Sequence, residues 1–219
     1  SPIVRLAYRA NDQESLLALL SKGGRLLVVR IAADDVAGDH PIITELPQPK
    51  GAVTALALDA LLENLYVGTA DGQVVHVALS ETESPEMRAA YTVAASSTAV
   101  TTLGFLSGDR SLVVMTADGA VSTWGLVRRA DASSGWTLIQ IHTLRAHNAP
   151  VTAFAPSQRV KGFVTGDMKG NLFLHHATSS QTLLRLATSE FPIRAVAFAP
   201  KGDGLIALDG AGQLSLYQV

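Results

Sequence analysis

Five stretches of the chain open in the same way: Pro2-Ile3-Val4-Arg5-Leu6, Ala52-Val53-Thr54-Ala55-Leu56, Ala99-Val100-Thr101-Thr102-Leu103, Pro150-Val151-Thr152-Ala153-Phe154 and Pro192-Ile193-Arg194-Ala195-Val196. About 20 residues after each comes a turn that ends in glycine and leads into an alternating strand. The turn glycines are Gly24, Gly72, Gly119, Gly170 and Gly212, at intervals of 48, 47, 51 and 42 residues. Two independent landmarks thus keep one period, and self-similarity at this period means a repeat architecture.

Each repeat reads as short strand, turn, short strand, turn, short strand, as in Val53 to Leu58, Asn64 to Gly68 and Val74 to Leu79. No segment sustains a 3.6-residue period with caps. Asp71-Gly72 and Asp118-Gly119 sit between two such strands, and Asp and Gly both tolerate the positive φ of a two-residue turn, so the middle and third strands are expected to pair antiparallel. Fourth strands are expected at Ile42 to Leu46, Arg88 to Val93, Thr137 to Thr143 and Thr182 to Leu186. The opening strand carries small residues on one face (Val53, Ala55, Ala57; Val151, Ala153, Ala155) and larger ones on the other (Leu56, Leu58; Phe154), so both faces need cover. Four-stranded sheets recurring at 40 to 50 residues with two buried faces stack radially. The expected fold is therefore all-β, a β-propeller of about five blades, partial or open, with repeats at about 2–51, 52–98, 99–149, 150–191 and an incomplete 192–219.

The repeat resembles the WD40 family: a Val/Ile-Thr-Ala-Phe type first strand, a Gly-containing turn, then alternating hydrophobics ending in an aromatic. That aromatic slot holds Trp124, His175 and Tyr217 in three repeats but Val29 and Val77 in two. The Asp of the family's signature dipeptide is replaced by Arg30, Ala78, Gly125, His176 and Gln218, and Ala146-His147 stands alone as a counterpart of the family's Gly-His. This pattern gives no basis for assuming the family's His-Ser-Asp-Trp hydrogen-bond network.

Residue 3 already falls in an innermost strand, and Val219 falls in a third strand. Sheets stacked in an open ring bare an apolar face at each end, and soluble monomers seldom expose patches well above a few hundred Å2. The sequence thus predicts either further blades N-terminal to residue 1 or self-association that covers the open ends.

Seventeen Lys plus Arg against nineteen Asp plus Glu give a net charge of −2, and only 16% of residues are charged, which leaves no broad basic surface for a nucleic-acid backbone. Absence of Cys removes disulfides, thiolate metal sites and a Cys nucleophile. Four of the six histidines cluster late, at His142, His147, His175 and His176. Adjacent His175 and His176 point to opposite faces of a strand, so a metal site needs His147 and His175 to converge with a carboxylate such as Asp167. A hydrogen-bonded structural histidine is the plainer reading. Asp71, Asp118, Asp167 and Asp209 fall near the same end of their repeats; a ring of acids there binds cations, whereas Asp in such loops ordinarily bonds nearby backbone amides. No G-x-S-x-G, Walker, H-E-x-x-H or EF-hand pattern occurs. Gly202-Asp203-Gly204 and Gly210-Ala211-Gly212 flank strands and read as turns. Catalytic, cofactor and metal residues are accordingly not assigned. The inter-repeat loops Ala33 to Pro41, Ser80 to Glu86 and Arg128 to Gly135 are polar, and the second carries an acidic tip of Glu81, Glu83 and Glu86.

Three runs carry a second resemblance: Leu144 to Pro156 (LRAHNAPVTAFAP), Gly166 to Leu172 (GDMKGNL) and Arg194 to Pro200 (RAVAFAP). They are similar to the soluble domain of long proteobacterial phosphate ABC transporter permease subunits. That resemblance implies an extracytoplasmic, periplasmic domain of an inner-membrane protein, a non-catalytic part of phosphate import whose partners are the other transporter subunits and the periplasmic phosphate-binding protein. Beside it stands a stand-alone WD40-like interaction scaffold unrelated to transport, and a propeller enzyme using acids or His147 at a central channel.

Overall fold

Period-2 alternation broken every six to eight residues by Gly- or Asp-containing turns leaves short antiparallel strands as the element that suits these stretches. A computed structural model of the 219-residue chain describes residues 1–33, 41–79, 92–94, 96–108, 111–128, 136–144, 147–159, 161–186, 189–199 and 203–218. Among them every regular element is a strand, and no helix is long and apolar enough to cross a membrane.

The chain divides into two compact units, residues 1–99 with 128–137, and residues 100–127 with 138–219. The first unit holds two four-stranded meanders. One runs β1 (Ile3–Ala10), β2 (Glu14–Ser21), β3 (Leu26–Ala32) and β4 (Ile42–Leu46); the other runs β5 (Val53–Leu58), β6 (Asn64–Thr69), β7 (Gln73–Ala78) and β8 (Thr92–Ala94). Leu16, Ala18, Leu26, Val28 and Leu46 of the first sheet pack on Leu58, Leu65, Val67, Val75 and Val77 of the second. The innermost strands are tied as well, because Arg5 Nε donates to the Thr54 carbonyl at 3.0 Å.

The third sheet is β9 (Val100–Phe105), β10 (Leu112–Thr116), β11 (Val121–Arg128) and β12 (Trp136–Thr143), of which all but Arg128, Trp136 and Thr137 belong to the second unit. Its fourth sheet is β13 (Val151–Pro156), β14 (Gly162–Asp167), β15 (Leu172–His176) and β16 (Thr182–Leu186), and its fifth is β17 (Ile193–Phe198), β18 (Gly204–Asp209) and β19 (Leu214–Gln218). Val113, Met115 and Val121 of the third sheet pack on Phe163 and Phe154 of the fourth. Ala153, Ala155, Val164 and Leu172 on the other side of the fourth pack on Leu205, Ala207, Val196 and Phe198 of the fifth. Close seams demand small residues: a Cβ on Gly104 would lie 2.3 Å from the Phe154 ring, and one on Gly166 would lie 2.6 Å from Ile193.

One detail departs from the expected elements, and two expectations lie largely outside the described residues. In the second repeat the outer strand is β8, at Thr92–Ala94, and residues 88–91 lie outside the described ones. The loops expected at 33–41, 80–86 and 128–135, with the acidic tip of Glu81, Glu83 and Glu86, also fall almost wholly outside them. The turn before the third strand is one residue longer than a two-residue hairpin. Gly68 pairs with Val74 and Thr69 faces Gln73, leaving Ala70, Asp71 and Gly72 in the loop. Positive φ is confined to the glycine: Gly24, Gly72, Gly119, Gly170 and Gly212 lie between +79° and +86°, and the only described non-glycine with positive φ is Leu62. This is the three-residue loop that ends in a left-handed residue, and the Asp before the glycine keeps an ordinary backbone.

Candidate functional site

The ends of the sheets that carry these turns hold a recurring set of hydrogen-bonded polar side chains. The residue opening each turn is Ser21, Thr69, Thr116, Asp167 or Asp209, and its carbonyl accepts the N–H of the turn glycine three residues on in all five repeats. In four of them its side-chain oxygen also accepts the backbone N–H four residues on, from Arg25, Gln73, Asn171 and Gln213 at 2.9 to 3.1 Å. The four acids therefore occupy two different positions. Asp71 and Asp118 stand third in the turn, where each accepts from the Thr hydroxyl that opens it. Asp167 and Asp209 open the turn themselves. A ring of equivalent carboxylates is not formed.

Four of the five turn glycines, all but Gly212, are also clasped by the loop that leads into the next repeat. Gln48 Nε2 donates to the Gly24 carbonyl at 2.6 Å, and the backbone N–H groups of Ser96, His147 and Ser189 donate to the carbonyls of Gly72, Gly119 and Gly170 at 3.3, 2.8 and 3.1 Å. A Cβ on Gly72, Gly119 or Gly170 would stand 2.0 to 2.3 Å from the carbonyl oxygen of that same loop residue. In the second unit the loop residue reaches forward too. The His147 ring bonds Asp167 of the following sheet, and Ser189 Oγ donates to Asp209 Oδ2 at 2.6 Å. That hydroxyl is the main reason the Asp209 carboxyl is held below its usual range, with the backbone N–H groups of Gln213 and Ala211 adding to it.

Around His147 the contacts close into a buried chain. His147 Nδ1 is 2.9 Å from Asp167 Oδ2, His147 Nε2 is 2.7 Å from Thr165 Oγ1, Thr165 Oγ1 is 2.8 Å from His175 Nε2, and His175 Nδ1 is 3.2 Å from Thr182 Oγ1. Asp167, Thr165 and His175 have no exposed surface and His147 has 2%. Burial pushes both imidazoles toward the neutral form; it lowers His147 against the opposing pull of Asp167, and it carries His175 down to about 3 with His147 adding to the effect. With both rings neutral, one proton assignment satisfies every contact: Thr182 donates to His175 Nδ1, His175 Nε2–H to Thr165, Thr165 to His147 Nε2, and His147 Nδ1–H to Asp167. Asp167 further accepts the N–H groups of Lys169 and Asn171 and the Asn171 side-chain amide, whose oxygen takes a bond from Arg185. The rings of His147 and His175 stack on Phe173 and Phe163 at 4.3 and 4.9 Å.

The structure therefore does bring His147, His175 and Asp167 into one network, the one the signature residues gave no reason to expect, with His175 in the aromatic slot. It does not aim them at a common point, since Thr165 separates the two imidazoles and their nitrogens are all engaged. No three His, Cys, Asp or Glu among the described residues are placed to hold a metal ion. His176 points away from His175 and bonds Ser179 at 3.1 Å. The other slot residues share the register of His175: Val29, Val77, Trp124 and Tyr217 pair with Leu17, Leu65, Leu112 and Leu205 as His175 pairs with Phe163. Trp124 Nε1 satisfies itself locally on Ser122 Oγ at 2.8 Å.

Two features escaped sequence reasoning. Ser189 was visible by position, because Ser96, His147 and Ser189 all stand four residues before an inner strand begins. At the opposite end of the second sheet, Asp59 accepts from the Asn64 side-chain amide at 2.6 Å and His76 Nε2 meets Asn64 Oδ1 at 2.6 Å, so the half-buried Asn64 joins two buried side chains in a trio with no spacing signature. In the second unit that opposite end carries a cleft of about 350 Å3 lined by Leu106, Ser107, Ser111, Arg159, Lys161 and Thr178.

No protein-family model and no curated protein matches the chain. Solved structures do. The β-propeller domain of Cps50 (Swd1) from Myceliophteria thermophila aligns with a TM-score of 0.73 and 18% identity over 95% of this chain and 67% of that one. The WD40 β-propeller domain of Doa1 aligns at 0.70 and 20% over 97% and 64%, and a chain of the mitotic checkpoint complex at 0.72 and 16% over 99% and 64%. The chain thus spans about two thirds of the length of each. The fold is all-β, with antiparallel sheets of three and four strands of the WD40-like β-propeller kind.

Proposed function

We propose that the chain is a non-catalytic protein-interaction scaffold. One observation carries this reading: the imidazoles of His147 and His175 and the carboxylate of Asp167 are buried and engaged in hydrogen bonds that fasten the His147 loop to the fourth sheet and brace that sheet, which leaves no reactive group presented at that cluster. What each unit offers to solvent is a set of turns and sheet surfaces held by rigid strands, and such surfaces bind partners. Two of the similar structures are propeller domains by description and a third is a chain from a multiprotein complex, which agrees with the reading. The test is affinity purification with the intact chain and with Arg159→Glu/Lys161→Glu at the exposed cleft, followed by rebinding of each captured protein in purified form. A partner that rebinds the intact chain and loses affinity for the charge-reversed one supports the scaffold. Turnover in a hydrolase panel, or stoichiometric metal in the purified chain, overturns it.

A second reading places this scaffold in the periplasm as part of a phosphate permease, where it contacts the phosphate-binding protein. It rests on the runs Leu144–Pro156, Gly166–Leu172 and Arg194–Pro200. Hydrophobic helices flanking these residues in the full coding sequence, and a pull-down with the binding protein with and without phosphate, test it; polar flanks and no association in either state remove it.

A further inference from the structure

The end of the second unit opposite its glycine turns holds the cleft of about 350 Å3, formed where the third and fourth sheets meet. Its floor is Leu106 and Ala177, which belong to the apolar core shared by those two sheets. Three turns wall it: β9–β10 with Ser107 and Ser111, β13–β14 with Gln158, Arg159 and Lys161, and β15–β16 with Thr178. Main-chain bonds fix each turn, from Leu106 N–H to the Ser111 carbonyl at 3.0 Å, from Ser157 N–H to Gly162 at 2.9 Å and from Ala177 N–H to Lys161 at 2.8 Å. The last of these joins two of the walls, so the cleft is shaped by the sheets before any ligand enters.

The charge of the cleft is of one sign. Arg159 and Lys161 bring two positive charges, and no described acid lines it; Asp109 and Arg110, outside the described residues, are opposite in charge. Arg25 and Arg30 pair with Glu45 and Glu14, and Arg185 bonds Asn171. The side chains of Arg159, Lys161, Ser107, Ser111 and Gln158, by contrast, bond nothing among the described residues. Two cations, two hydroxyls and an amide thus offer donors around a space at the low end of the roughly 300 to 1,000 Å3 usual for small-ligand clefts. A single carboxylate would leave one cation unmatched. A phosphate monoester brings roughly −1.5 to −2 charge and three acceptor oxygens in one compact group, and Arg grips such a group with two parallel N–H bonds. We propose that this cleft binds a phosphate monoester, carried on a phosphorylated Ser or Thr side chain of a partner or on a small free ester. The first carrier gives the partner of the scaffold its chemistry and rests on that reading; the site itself rests on the cleft. None of its lining residues falls in the runs Leu144–Pro156, Gly166–Leu172 and Arg194–Pro200.

The test is an NMR titration of the isotope-labelled chain at about pH 7.5, where the ester is largely dianionic. The titrants are O-phosphoserine, a capped peptide with phosphoserine between alanines, and the same peptide with serine or with glutamate in that place. Both phosphate probes are expected to bind saturably and to move the amides of Ser107, Ser111, Arg159 and Thr178. The serine peptide is expected to move none of them, and the glutamate peptide to bind roughly tenfold or more weakly. Arg159→Gln/Lys161→Gln is expected to weaken the phosphate probes roughly tenfold or more while the rest of the spectrum stays unchanged, which shows that the variant is folded. Lys169→Gln, in the glycine turn at the other end of the same sheet, should keep them. A phosphopeptide that binds more tightly than phosphoserine identifies a partner side chain as the carrier; phosphoserine that binds as tightly or more so identifies a free ester. No saturable shift with either phosphate probe, glutamate binding as tightly, binding that survives Arg159→Gln/Lys161→Gln, or an equal loss in Lys169→Gln overturns the proposal. The scaffold is judged separately, by whether affinity purification captures a partner at all, so either reading can fail alone.

Discussion

His147 Nδ1 and Asp167 Oδ2 lie 2.9 Å apart where neither side chain meets solvent, and the ring is held neutral by burial although a carboxylate is its partner. This places the chain among proteins that lose stability on mild acidification. His76, His147 and His175 all bind a proton in the unfolded chain near the ordinary 6.5 and only at lower pH when folded. Stability is therefore level above about pH 7 and falls as pH drops below 6.5, because the unfolded state then takes up protons that the folded state refuses. For His175, which holds out to about 3, the loss reaches about 2 to 3 kcal/mol by about pH 4.5 at roughly 1.4 kcal/mol per unit. Asp209, depressed by Ser189, adds a further loss only as pH falls below its ordinary 3.8. Urea midpoints from pH 8 to about pH 4.5 measure the slope, and His175→Gln should flatten it. An unchanged slope in that variant would contradict the buried neutral ring.

Gly170 and Gly212 share a backbone conformation, at φ +79° and +83°, but not a neighbourhood. A Cβ on Gly170 would lie 2.0 Å from the Ser189 carbonyl oxygen, while nothing stands within 4 Å of one on Gly212. Gly212→Ala is expected to lose about 1 to 2 kcal/mol, the cost of a left-handed alanine. Gly170→Ala should lose that and the clasp, about 3 kcal/mol or more. Equal losses in thermal unfolding would mean that conformation alone sets these positions.

Thr123 and Thr165 are buried threonines with opposite circumstances. Thr123 Oγ1 has no hydrogen-bond partner among the described residues, whereas Thr165 Oγ1 joins two imidazoles. Thr123→Val should be neutral or stabilising by about 1 kcal/mol, because it removes an unsatisfied polar atom without changing shape. Thr165→Val should cost about 2 to 4 kcal/mol, because it strands two buried ring nitrogens. Chemical denaturation of both variants decides the matter.

Gly104 and Phe154 meet across the seam of the third and fourth sheets, with the ring where a Cβ would stand. Gly104→Ala is expected to destabilise by about 1 to 3 kcal/mol through overpacking. Phe154→Leu withdraws the ring edge, so the double variant should be more stable than the sum of the single losses by about 1 kcal/mol. Additive losses would show that the strand backbone moves instead.

The strands were legible because period-2 alternation is local, and Val53–Leu58, Ile42–Leu46 and Thr182–Leu186 begin and end where the residue pattern places them. The turn glycines were legible because few other residues tolerate the left-handed region. The length of the turn was not. Asp71-Gly72 suits two residues as well as three, and the choice is made by Thr69, whose hydroxyl closes the loop from outside the dipeptide. The histidine network was hidden for another reason: its members are spread from residue 147 to 182, and one of them, His175, fills a slot where an aromatic serves elsewhere. Pairing across that distance is decided by which sheet follows which, a property of the whole repeat series.

The bonds made by His147 and Ser189 also fix where one building block ends and the next begins. Each takes the main chain of the sheet behind it and a carboxylate of the sheet ahead, so the transferable cassette starts at residue 147 or 189, four positions upstream of its first strand. A sheet excised at Val151 or Ile193 would lose the loop group that its turn carboxylate bonds, Asp167 in one case and Asp209 in the other. Grafting, tandem duplication or circular permutation of these sheets should therefore cut ahead of the joint residue and carry it with the sheet that follows.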